Sequence, residues 1–236
     1  MRLRVATYNI HRCVGVDGKM DVGRVAAVIQ ELGADVVALQ EVESRPSRSE
    51  LNQAEVLARR LGMELAEGPL MLEDGGHYGN AVLSLCPLTI MRRRRFPRSG
   101  HEPRGFLHVV AQTKSGVAWH VLATHLSLGP VVRGAQLTSI AHELSFAPAP
   151  AVMMGDLNEW RGWTRGLGNL RRVATLLSTQ PSFPSRYPVL RLDRIALRGA
   201  RALAPGKAHR TRLSRVASDH LPIVAELEVT SRMEPS

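Results

Sequence analysis

Short apolar runs that end on a polar or acidic residue recur along this chain. Residues 3–10, LRVATYNI, are β-rich and end at Asn9, with His11 just beyond. Asp21 can cap a helix through VGRVAAVIQEL, whose Val22, Val25, Ala26, Ile29 and Leu32 follow the helical period, and Gly33 closes it. A buried strand over 36–39 then ends on Gln40 and Glu41, completing the strand, helix, strand order of an α/β layer. A second amphipathic helix is expected over 49–61, stopped by Gly62, and a Gly-, Pro- and Asp-containing loop over 67–79. Asn80 opens the strand AVLSLC, halted by Pro87. Residues 105–112 and 117–125 read as strands around a Lys114-Ser115-Gly116 turn, the second running out to Thr124 and His125. Pro130 starts a third helix, ending near Phe146 before Pro148 and Pro150.

The segment AVMMGDLNE, residues 151–159, concentrates this pattern. Its apolar run reads as a buried strand ended by Gly155, delivering Asp156 and Asn158 to the edge of the core. If the strand stays extended, side chains two apart leave on the same side. A carboxylate beside a neutral amide suits a hard cation, a phosphate oxygen and an attacking water; a plain strand-ending turn is the alternative. Residues 160–172 then read as loop with a short helix, 181–188 as irregular, and 192–197 as a strand entered through Asp193. Ser218-Asp219-His220-Leu221-Pro222 leads into a last strand, IVAELEV. One domain over 1–230 with a frayed tail at 231–236 is expected, with no internal repeat.

Net charge changes the range of partners. The chain is 236 residues long and carries a formal charge of +10, with Lys19, Lys114 and Lys207 its only lysines. A basic surface attracts nucleic acid or anionic lipid headgroups; genome composition would also give an arginine bias, and both readings stand. The run Arg92 to Arg95 reads as a solvated strand or loop edge, with phosphate tracking as the alternative. Aromatic content of 4% argues against a broad base-stacking platform. No apolar run approaches the roughly 20 residues of a membrane span, and the N-terminus lacks a signal-peptide pattern. Cys13 and Cys86 read as reduced thiols, which favours the cytoplasm; a monomer is expected.

Candidate chemistry lies at the strand tips: Asn9, Glu41, Asn80, His125, Asp156, Asn158, Asp193, Asp219 and His220. Glu41 and Asp219 supply hard oxygen ligands. His220 can take a proton if a carboxylate such as Asp193 orients it, and the asparagines can hold phosphate oxygens without an ionisation cost. Asp193 could instead pair with Arg191 or Arg194, and the remaining histidines read as structural. Arg104, Arg133 and Gln136 are further candidates near these tips; Trp160 and Trp163 either line a substrate rim or pack on a sheet edge. Zinc-type Cys/His spacing, P-loops, dinucleotide fingerprints and nucleophile elbows are absent from the sequence.

In order and spacing, TYNIH, LQEVE, YGNAVLS, ATHLSL, GDLNE, LDRI and SDHLP resemble the endonuclease/exonuclease/phosphatase (DNase I-like) superfamily, in particular its small bacterial members. The resemblance implies a four-layer α/β sandwich, with two mixed β-sheets face to face and helices outside. It implies Mg²⁺, with Mn²⁺ as substitute, held chiefly by Glu41 with Asn9 and Asp219 close by. Asp156 and Asn158 would position nucleophile and phosphate, Asp193 would orient His220, and His125 would contact phosphate, with Asn80 and Arg104 as further phosphate contacts. The expected activity is metal-dependent phosphodiester hydrolysis by in-line attack of water, on nucleic acid or on a lipid or small phosphodiester. Whether Asp156 or His220 is the base stays open. A phosphomonoesterase, or a non-catalytic polyanion-binding protein on the same scaffold, is the alternative.

Overall fold

A computed structural model describes residues 1–46, 48, 52–73, 75–97, 102–113 and 115–229. Two sheets form, and each buries one face on the other. In the first, β1 (Arg2–Asn9) runs parallel to β2 (Val36–Glu43), while β13 (Ile223–Glu228) flanks β1 antiparallel. The hairpin of β3 (Glu64–Glu73) and β4 (Gly76–Ser84) completes the β2 side. The short β11 (Arg201–Ala202) and β12 (Lys207–Ala208) pair with β13.

The second sheet has the order β5 (Leu88–Arg95), β6 (Gly105–Gln112), β7 (Ala118–His125), β8 (Ala151–Asp156), β10 (Asp193–Arg198) and β9 (Thr175–Leu176). Here β7 and β8 are the parallel pair.

Three apolar layers hold the sandwich together. Val5, Val36, Val82, Val109, Val121, Met154 and Ile195 meet between the sheets. The outer face of the first sheet packs on α1 (Val22–Leu32) and α2 (Gln53–Leu61) through Val25, Ile29 and Leu57. The outer face of the second packs on α3 (Pro130–Phe146) and α4 (Arg165–Val173) through Leu137, Ile140 and Leu167. This is the four-layer α/β sandwich that the motif order implies.

The helices form where their caps direct. Asp21 accepts from the Arg24 amide at the start of α1, and Gly33 ends it in the left-handed region. Asn52 caps α2, so that helix begins later than the hydrophobic period suggests; 49–51 lie outside the described residues, as do Lys114 and the tail from 230.

Two expectations are corrected. Residues 67–79 are not a loop: β3 and β4 pair through them, with Pro69 on the edge strand, where its missing N–H costs little. Gly79 imitates loop composition but serves close approach, since a Cβ there would meet the Gly68 carbonyl oxygen at 2.3 Å. Gly155 does not end its strand either. It pairs with Thr124 and Arg194 inside β8, and a Cβ would stand 1.9 Å from the Thr124 carbonyl oxygen.

Candidate active site

Register alone gathers half of the site. His125, at the end of β7, pairs with Asp156, at the end of β8, and Asp156 pairs with Asp193, at the start of β10. Three chemically active side chains therefore stand on one rung of the second sheet. On the facing sheet Asn9 ends β1 beside Gln40, and the ladder between β2 and β4 is irregular between Leu39 and Val42. That bulge holds Glu41 at φ +57°, which turns its carboxylate toward the gap between the sheets. A positive φ at a glutamate is a strained conformation of the kind found at functional sites.

At the site one amide links the two sheets. The Nδ2 of Asn9 donates to Glu41 Oε1 at 3.1 Å and to Asp156 Oδ2 at 3.2 Å, while its Oδ1 accepts from the His11 amide. Asp156 Oδ2 also faces His125 Nε2 at 3.4 Å and His220 Nε2 at 3.7 Å. The other face of His220 is held by Asp193, whose Oδ2 lies 2.8 Å from Nδ1 and also accepts from the Ser182 hydroxyl. Asp193 thus serves the histidine; Arg191 and Arg194 bond instead to the carbonyls of Thr179 and Glu159. The Phe183 ring packs on His220 at 4.8 Å between centroids.

Asn158 departs from the extended geometry expected of it. Its φ is +50°, and its backbone amide folds back to Asp156 Oδ1 at 2.9 Å. Its side-chain amide then reaches the Leu126 carbonyl at 2.9 Å and His125 Nε2 at 3.2 Å. Asp156 and Asn158 meet through a turn, not by sharing a strand face.

Burial sets the protonation states. It pushes His125 well below its ordinary range, and the positive charges of Arg104, His220 and Arg12 add to that push. Burial also raises Asp156, with the Asp193 carboxylate adding to it against His220, the Asn158 amide and Asn9. For His220 burial alone would depress the imidazolium, but the carboxylates of Asp193 and Asp156 outweigh it and raise the pKa. The resting site therefore holds a neutral His125, a cationic His220 and an Asp156 more basic than an ordinary carboxylate.

A pocket of about 330 Å³ opens over this floor; besides the floor residues it is lined by the polar Glu41, Glu102 and Arg104 and by the apolar Leu128, Trp160, Phe183, Leu190 and Leu192. Arg104 and Arg12 share the Glu102 carboxylate at the polar wall. Asn80 is buried behind the pocket, with its amide on the Gly105 carbonyl. Asp219 is half-exposed, with its carboxylate 3.9 Å from His11 Nδ1. Ser182 and Phe183 belong to the site but lie in the irregular stretch, where no periodicity points to them. Arg133 and Gln136 do not enter the pocket. They brace its loops: Arg133 to Glu159 and to the Ser127 and Leu128 carbonyls, Gln136 to Ser127. Far from the site, His108 bridges His120 and Glu143 under α3.

Two groupings could hold a cation. Asp156, Asp193 and His220 present ligand atoms within 4.8 Å of one another. Asp193 Oδ2 already accepts from Ser182 and lies on His220, which suits proton handling, while Asp193 Oδ1 is buried without a hydrogen-bond partner. Glu41 is the better fit to a hard divalent ion: its carboxylate lines the pocket, and a single side-chain amide donates to it.

Residues 6–220 match the profile of the Endonuclease/Exonuclease/phosphatase family. The chain belongs to that family. Its relatives include the uncharacterized protein YbhP of Escherichia coli K12, 32% identical over 244 residues and covering 96% of both chains. Among solved structures, the endonuclease/exonuclease/phosphatase of Beutenbergia cavernae is 26% identical, with a TM-score of 0.72 over 98% of this chain and 72% of that one. A Bacteroides vulgatus protein described in the same words gives a TM-score of 0.77 at 18% identity, over 98% of this chain and all of its own. D. rerio TDP2, solved with a single-strand DNA product, gives 0.70 at 18% identity over 97% and 99% of the two chains; at that identity it supports the fold alone. Members of this family are commonly metal-dependent phosphodiesterases and nucleases.

Proposed function

We propose that this site hydrolyses a phosphodiester by in-line attack of water, with no covalent enzyme intermediate. The observation that carries the reading is the line Asp193–His220–Asp156–Asn9–Glu41, buried up to its half-buried last member, which joins an oriented histidine to a metal-type carboxylate through one raised-pKa aspartate. Asp156 takes the proton of the attacking water. His220, already protonated, stabilises the charge that grows on the phosphoryl oxygens. His125 and the Asn158 amide hold a phosphoryl oxygen without bringing a further charge, and Arg104 meets the phosphate from the polar wall. As the water oxygen bonds to phosphorus, the bond to the ester oxygen breaks, and that oxygen leaves with a proton from solvent. Glu41, with Asn9 and Asp219 nearby, would hold Mg²⁺ or Mn²⁺, which supplies charge stabilisation at a non-bridging oxygen.

The demand is large, since enzymes that hydrolyse phosphate esters lower the barrier by on the order of 20 kcal/mol. No single group supplies that, which fits a site in which each member is held by another. The test is hydrolysis of bis(p-nitrophenyl) phosphate against p-nitrophenyl phosphate with Mg²⁺, Mn²⁺ or EDTA. Diester turnover that needs metal and falls roughly 10²–10⁴-fold in Asp156→Ala is the expected result. Turnover of the monoester alone, or of neither compound, would sink the reading.

A further inference from the structure

Thirteen large apolar side chains are exposed among the described residues, and six of them fall on three segments that adjoin the site. Leu128 and Val131 follow β7, Trp160 and Trp163 follow β8, and Tyr187 and Val189 precede β10; all six are exposed, Val131 by 86%, Trp163 by 89% and Val189 by 70%. Because His125, Asp156 and Asp193 share one rung, the segments carrying those six residues leave the same edge of the same sheet, with Val131 on the first turn of α3. They continue outward from the pocket wall formed by Leu128, Trp160, Phe183, Leu190 and Leu192. Much of the pocket lining is therefore apolar, and exposed apolar side chains on the same segments add to that surface.

Arginines lie on the same segments, Arg165 and Arg171 on α4 and Arg161, Arg186 and Arg191 on the loops. All five are exposed. The Arg171 guanidinium lies 5.1 Å from the Trp163 ring centre, and those of Arg133 and Arg161 lie 5.4 and 5.8 Å from the Trp160 ring centre. Apolar tips among arginines, with Trp and Tyr at the edge, match the boundary of a bilayer, where headgroup phosphates overlie acyl chains. A nucleic-acid reading fits less well. Stacking needs open π faces, whereas Leu128, Val131 and Val189 have none and both tryptophan rings are already engaged by guanidinium groups.

We infer that this apolar, arginine-flanked rim docks on an anionic lipid surface, and that the substrate class is a phospholipid phosphodiester presented from that surface. The inference rests on the phosphodiesterase reading for its chemistry, but the docking can be measured without turnover.

The experiment is co-sedimentation in EDTA with vesicles of phosphatidylcholine alone and of equal parts phosphatidylcholine and phosphatidylglycerol. The proteins are wild type, Asp156→Asn and the triple variant Val131→Ser/Trp163→Ser/Val189→Ser. All three rim positions are exposed, so an unchanged Tm is expected. Wild type and Asp156→Asn should bind the mixed vesicles alike, and the triple variant at least about tenfold more weakly, as removal of three insertable side chains requires. With metal, the triple variant should keep wild-type turnover of bis(p-nitrophenyl) phosphate and lose turnover of vesicle phospholipid. Undiminished vesicle binding by the triple variant would overturn the inference. So would its losing affinity for a single-stranded oligonucleotide instead of for vesicles. Vesicle docking without hydrolysis of any diester would support the surface and refute the chemistry; diester hydrolysis without docking would do the reverse.

Discussion

Replacing Arg133 with methionine tests whether the pocket loops are held from behind. Arg133 is only 1% exposed. Its Nε donates to Glu159 Oε2 at 3.0 Å, its Nη1 reaches the Ser127 and Leu128 carbonyls, and its guanidinium lies against Trp160. One side chain on α3 thus fixes the loop after β7 and the loop after β8, and each loop contributes a pocket residue. Methionine fills much of the volume but removes the guanidinium from the buried Glu159 carboxylate, which keeps the Arg161 amide and the charge of Arg194 nearby. Breaking a buried ion pair from one side costs about 3–5 kcal/mol. In a domain of this size that corresponds to a Tm loss of roughly 6–20 °C, at 2–4 °C per kcal/mol. Differential scanning calorimetry with urea titration measures it. Arg133→Met/Glu159→Gln should recover much of the loss, because no buried charge is then stranded, while diester turnover stays low because Leu128 and Trp160 remain untethered. A Tm within a degree or two of wild type in the single variant would refute the reasoning, as would a double variant no better than the single.

Three further outcomes follow from the site. In metal-free protein, His220 followed by NMR should stay protonated until pH about 10. Its raised pKa contributes stability that is complete below the ordinary histidine value and fades as pH rises toward that figure; in Asp193→Asn burial dominates, and the histidine should titrate much lower. If Glu41 holds the metal, Mg²⁺ at a hundredfold excess over Kd should add about 2.7 kcal/mol, or roughly 5–11 °C in Tm. Glu41→Gln should lose that shift, and an equal shift in both proteins would place the ion elsewhere. Gly155→Ala forces a Cβ against the Thr124 carbonyl, so it should cost about 1–3 kcal/mol and reduce diester turnover by parting the His125–Asp156 rung. Wild-type melting and activity in that variant would show the two strands to be more yielding than their spacing suggests.

The sequence disclosed the strand tips because an apolar run that stops on Asn, Asp or His is a local signal. It also placed α1 and α3 well, since caps and proline act over a few residues. What stayed hidden depends on backbone shape or on distant partners. Glu41 and Asn158 adopt positive φ with no glycine to announce it; the bulge in β2 and the turn after β8 impose it. The hairpin of β3 and β4 was masked because its glycines serve close strand approach yet have the composition of a loop. Ser182 and Phe183 lie in a stretch without periodicity and matter only because the fold brings them to Asp193 and His220.

The Asn9 amide bridges carboxylates on opposite sheets, Glu41 on one and Asp156 on the other. Neither sheet owns the reaction centre, so catalytic competence reports on how the two halves of the sandwich are aligned. A slip of about 1 Å between them, too small to expose the core, would leave the Asn9–Glu41 bond intact within its own sheet but stretch the Asn9–Asp156 bond beyond useful length. Mild denaturant or a loosened inter-sheet packing residue should therefore abolish the proposed diester turnover well before circular dichroism registers any loss of strand. In this protein activity is the more sensitive gauge of structural integrity, and its midpoint should precede that of unfolding.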